Sequence, residues 1–137
     1  MREIKFRAWN GKMKQMFSAE QMAEDQMTLL PTGKFINVSG TSTKLSIIYP
    51  HDAMLPLQFT GLKDKNGREI YEGDIIQNKS LSMKGEIKMG YHETSLGKHY
   101  GWFIHRYMKI GKDKATSWES PHWEVIGNIY ENPELIN

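Results

Sequence analysis

The stretch LQFTGLKDKNGREIYEGDIIQ, Leu57 to Gln77, constrains the fold of this chain more than any other. It reads as a strand at Leu57–Leu62, a polar turn at Lys63–Gly67 and a strand at Asp74–Gln77. Thr60-Gly61 lets the first strand bend. Asn66-Gly67 tolerates the positive φ that turns a chain. Gly73-Asp74 launches Ile75-Ile76 toward a core. Beyond it, strand signals recur at Lys84–Tyr91, Tyr100–Ile110 and His122–Ile129, with loops at His92–His99 and Gly111–Pro121. Short strands and Gly-rich turns at this spacing predict a small antiparallel barrel or sandwich. A closed sheet also removes edges that would pair with other chains.

The first part of the chain is less regular. Ile4–Trp9 alternates, and Asn10-Gly11 before Met13–Phe17 suggests a β-hairpin with a tight primed turn. Ser18–Leu30 suggests one short helix, with Ser18 and Gln21 spaced as a capping box. Four of the nine methionines fall in Met13–Met27, where they serve a core or an adaptable partner groove. Phe35–Val38 and Leu45–Tyr49 read as strands, the second stopped by Pro50. The two prolines around His51–Pro56 mark a boundary, giving a hairpin-containing region over 1–56 and a compact domain over 57–137. Asn132-Pro133-Glu134 suggests a capped turn at the end.

Composition narrows the function. The 137 residues are 39% apolar and 25% charged, the balance of a globular chain. No cysteine is present, so disulfides, thiolate metal sites and a Cys nucleophile are excluded. No run approaches the roughly 18 to 20 apolar residues of a membrane span. The N-terminus has the pattern of neither a signal peptide nor an anchor, so a cytoplasmic protein without membrane contact is expected. The net charge of +2 is unevenly spread. Residues 78–115 carry eight Lys/Arg against three acids, and residues 116–137 carry four acids and no Lys/Arg.

Catalytic motifs are missing. The glycines form neither a Walker loop nor G-x-G-x-x-G, and no serine lies in G-x-S-x-G. His51, His92, His99, His105 and His122 form no ligand pair by sequence spacing. Glu69, Glu72 and Asp74 invite a metal or acid–base reading, but an Asp before a strand more often closes a turn on backbone N–H groups. No catalytic residue, metal or cofactor is expected. Two binding readings stand. Lys84, Lys88, Arg106, Lys109, Lys112 and Lys114, interleaved with aromatics such as Trp102, suit phosphates and stacked bases. Trp9, Trp118 and Trp123 suit a protein interface, since tryptophan is enriched there.

Three pieces carry a family resemblance: REIKFRAWN at Arg2–Asn10, LQFTGLKDKNGREIYEGDII at Leu57–Ile76 and EVIGNIYENPEL at Glu124–Leu135. In this order they resemble the YopX family of bacteriophage and prophage proteins. The resemblance implies a protein carried by phages and prophages of Gram-positive bacteria. It also implies an SH3-like barrel in the C-terminal part. It supplies no activity and no catalytic residues. The expectation is therefore a mainly β protein with minor α, its SH3-like barrel preceded by the hairpin-containing region. Its expected role is that of a phage accessory protein that binds a host or phage protein and self-associates as a homo-oligomer. Nucleic-acid binding is the alternative.

Overall fold

The computed structural model of the chain describes residues 3–39, 46–51, 53–94, 97–106, 115–116 and 122–136. It is mainly β, with one short helix, and its contacts divide it into two compact units. One is Ile4–Gln58. The other runs from Phe59 to Asn137 and takes in the extreme N-terminus.

In the first unit, β1 (Phe6–Asn10) pairs antiparallel with β2 (Gln15–Phe17), Ala8 opposite Phe17. The connection is a four-residue loop and not a tight primed turn. Asn10 explains it: its Oδ1 accepts from the N–H of Lys12 and of Met13, both at 3.0 Å, and the positive φ falls on Lys14. Helix α1 (Ala19–Glu24) starts where Ser18 Oγ accepts from Gln21 N–H at 3.1 Å. It lies within the stretch expected to hold one short helix and ends at Glu24, because Gln26 adopts φ 54° and the chain enters β3 (Met27–Leu29). A three-stranded sheet follows, with β4 (Phe35–Ser39) between β3 and β5 (Ser46–His51). Pro50 does not stop β5: it pairs opposite Ile36, and β5 is an edge strand of this sheet, the place where a sheet tolerates proline. Ala8, Met22, Phe35 and Met54 form the buried cluster, with Phe17, Met27 and Leu29 against it. Met22 and Met27 thus serve packing, while Met13 stays exposed.

Strand β6 (Met54–Lys63) pairs with β1 through its first half, Met54 to Gln58. In the second unit its later half pairs with β7 (Glu69–Tyr71) across a register shift between Phe59 and Lys63. The bend at Thr60-Gly61 is held there. Gly61 has φ 86°, and Thr60 Oγ1 donates to Ile70 O at 2.8 Å while accepting from Leu62 N–H. A five-stranded antiparallel sheet completes the unit. Its order is β11 (Ala115–Thr116), β10 (Gly97–Arg106), β9 (Met83–Thr94), β8 (Asp74–Asn78), β12 (Glu124–Asn128). The core is aliphatic. Ile76, Ile87 and Ile104 are fully buried with Ile70, Trp123 and Val125, and Met83 and Trp102 pack on them. Each buried large side chain of this cluster contributes about 1.5–3 kcal/mol. A closing 3-10 turn spans Pro133–Ile136.

The sequence places a loop at His92–His99. Instead β9 and β10 continue, keeping register from Arg106 opposite Gly85 out to Gly97 opposite Thr94. The polar composition of that stretch reflects the lack of a core around it, not the end of the strands.

Candidate functional site

The acidic group is the first candidate for chemistry, and the structure ties Asp74 to a backbone N–H and Glu69 to a tyrosine hydroxyl. Asp74 is 1% exposed, and its Oδ2 accepts from Tyr71 N–H at 2.8 Å, closing the turn that contains Gly73. Gly73 has φ 83°, and a Cβ there would meet the Tyr130 ring at 2.9 Å, so only glycine fits without displacement. Glu69 Oε2 accepts from the Tyr71 hydroxyl.

Asp64 was missed from the sequence, and it accepts from three backbone N–H groups. Its Oδ1 accepts from Asn66 N–H (2.8 Å) and Arg68 N–H (2.9 Å), and its Oδ2 from Val125 N–H (2.9 Å). One side chain therefore closes the Asn66-Gly67 turn and ties it to β12. Burial pushes its pKa up, but the N–H donors of Val125, Arg68 and Asn66 and the Arg68 charge outweigh it and hold the carboxyl below its usual value. Asn128 plays a similar part, its Oδ1 accepting from Tyr130 and Glu131 N–H. Each of the three motif pieces thus contains an Asn or Asp that caps backbone: Asn10, Asp64 with Asp74, and Asn128. The signal in the sequence was the Asx-turn chemistry of D-x-N-G. These residues build the fold.

The exposed chemistry lies on the outer half of the β9–β10 hairpin. One face carries Ile87 and Ile104 in the core, then Met89 opposite Trp102, Tyr91 opposite Tyr100 and Glu93 opposite Lys98. Exposure rises along it, from 0% at Ile87 to 37% at Met89 and 83% at Tyr91, with Tyr100 at 65%. The two tyrosine rings meet edge to face at 4.8 Å. The other face carries Lys88 opposite Phe103, Gly90 opposite Gly101 and His92 opposite His99. With no side chains between them, His92 and Phe103 lean over the glycine pair and stack, centroids 4.7 Å apart and planes at 22°. A depression of about 440 Å³ is lined by Tyr91, His92, Glu93 and Lys98.

Among the described residues expected to bind, Lys84 and Lys88 alternate onto one face of β9, and Trp102 lies on the opposite face of the hairpin. Lys84 is half-buried, and Lys88 lies 3.5 Å from Glu86, a buried carboxylate that the sequence pattern did not mark as inward-facing. Trp102 packs against the aliphatic core, Trp123 is 3% exposed within it, and Trp9 is buried. The indole N–H groups of Trp102 and Trp123 are buried without an acceptor. Arg106 pairs opposite Gly85, but its side chain, with Lys109, Lys112, Lys114 and Trp118, lies outside the described residues, as does the side chain of His51. Among the described residues, no three His, Asp or Glu gather as a metal site, and no helix is long and apolar enough to cross a membrane.

The family model described as YopX protein matches residues 5–137. Among solved structures, protein EF1440 from Enterococcus faecalis is similar over all of both chains, at 25% identity and a TM-score of 0.57. Protein yopX from Bacillus subtilis is similar over all of this chain and 98% of the other, at 18% identity and a TM-score of 0.50. No curated protein matches the chain.

Proposed function

The chain belongs to the YopX family, a family without a known catalytic activity, and from that premise we propose a non-catalytic, self-associating binding module whose contact surface is the outer β9–β10 hairpin. The observation that carries this reading is the Tyr91–Tyr100 pair, exposed at 83% and 65% at the end of a face that is core at its other end. Tyrosine pairs of this kind offer large, rigid contact area at low entropic cost. The occupant is a second copy of the chain. A two-fold interface needs a patch complementary to itself. Here two apolar rings and Met89 sit beside one anion, Glu93, and one cation, Lys98, so a two-fold partner presents each charge with its opposite. Nucleic acid would require a net positive face, whereas Lys98 stands opposite Glu93 and Lys88 is engaged with Glu86.

Finer parts of the reading rest on other support. The five-stranded antiparallel sheet, with its bulge between Val125 and Gly127, supports an SH3-like barrel over 57–137. The three motif pieces support a phage or prophage accessory protein acting in the host cytoplasm. The test is sedimentation velocity over a concentration series. The wild-type chain is expected to dimerise with rising concentration, and the Tyr91→Ser/Tyr100→Ser variant to stay monomeric and folded, with a cooperative thermal transition. A wild-type chain that is monomeric throughout overturns the proposal. So does salt-dependent binding of labelled DNA or RNA, read by fluorescence anisotropy, that is lost with the tyrosines.

A further inference from the structure

We infer that His92 and His99 form a two-imidazole clip for a divalent transition-metal ion of the zinc type. The argument begins with register. The two residues are directly opposite on neighbouring strands, so both side chains leave the same face of the hairpin. Their ring centroids lie 5.9 Å apart. Two imidazoles that hold one ion at about 2.0–2.1 Å have ring centres about 5 Å apart at a tetrahedral angle and about 6.4 Å apart at the limit. The observed spacing falls inside that range.

His92 is also set up as a ligand is. Its Nδ1 lies 3.2 Å from Gly90 O, the arrangement in which Nδ1–H donates to a carbonyl and Nε2 keeps its lone pair. Ligating histidines are habitually oriented by such a bond. The Phe103 ring, stacked on the imidazole at 4.7 Å and 22°, fixes the ring plane. His99 is exposed and open to approach from solvent. Two protein ligands leave the remaining positions to water. The pair escapes sequence inspection because its members are seven residues apart and meet only through the hairpin register. The clip lies on the face opposite the tyrosines, so it does not depend on self-association.

The full chain is titrated with zinc chloride by calorimetry and by NMR of the histidine ring protons. Saturable binding with one ion per chain is expected, with the His92 and His99 ring signals shifting and the His122 signal unmoved. His92→Ala and His99→Gln are each expected to weaken binding by at least about tenfold, since even an orienting partner is worth about 10–100-fold. Phe103→Leu, which frees the His92 ring, weakens it less. Tyr91→Ser keeps the ion, which separates this site from the self-association surface. Absence of saturable binding, or binding unchanged in His99→Gln, a substitution at an exposed position that leaves the fold intact, overturns the inference.

Discussion

Asp64 is one carboxylate with three backbone donors on two separated segments. Replacing it by alanine leaves the buried Val125 N–H and two part-buried N–H groups without an acceptor, and a loss of about 3 kcal/mol in urea unfolding is expected. Its pH dependence has a definite sign. The folded carboxyl releases its proton more readily than the unfolded one, whose value is 3.8. Its contribution is therefore complete above that value and is lost as pH falls through the lower folded value. Asp64→Asn should flatten that part of the stability–pH profile, and an unchanged acid limb would contradict this. Asp64 shows what one sequence can reveal. The turn at Asn66-Gly67 was legible from local chemistry. The bond to Val125, across 61 residues, was not, because nothing local encodes which distant N–H an aspartate will meet.

The β9–β10 hairpin carries two environments along one element. At its inner end Ile87 and Ile104 are opposite each other and wholly buried. Ile104→Ala should cost about 2–5 kcal/mol by lost transfer energy and an unfilled cavity. The outer end is solvated, so Tyr91→Ser/Tyr100→Ser should cost no more than the cross-strand ring pair itself, about 0.5–1.5 kcal/mol, while abolishing dimer formation. Thermal melts beside sedimentation separate the two effects. The inner half was legible from apolar alternation. The strands were legible outward as far as Tyr91 and Tyr100, and only the tip, His92–His99, was not, since His, Glu and Gly give it no apolar face to announce it. The site lies there: the alternation that identifies strands fades where function needs exposed, mixed chemistry. The Pro50 position failed for a related reason, because proline stops a central strand but not an edge one.

Across the whole molecule, the residues that carry the family resemblance turn out to be caps, turns and core, and the exposed chemistry falls between them. Asn10, Asp64, Asp74 and Asn128 fix backbone, and Ile76 and Val125 fill the second unit's core. A chain built this way keeps its fold while the hairpin surface is free to set what it binds. The central claim is that this surface pairs with itself, Glu93 of one copy against Lys98 of the other. The most direct measurement is a charge-swap mixing experiment by sedimentation velocity. Glu93→Lys alone and Lys98→Glu alone each place like charges across the two-fold, and each should sediment as a monomer. Mixed in equal amounts, the two variants restore both opposite-charge contacts and should sediment as a dimer. Dimers in either variant alone, or a mixture that stays monomeric where the wild-type chain dimerises, would contradict the account.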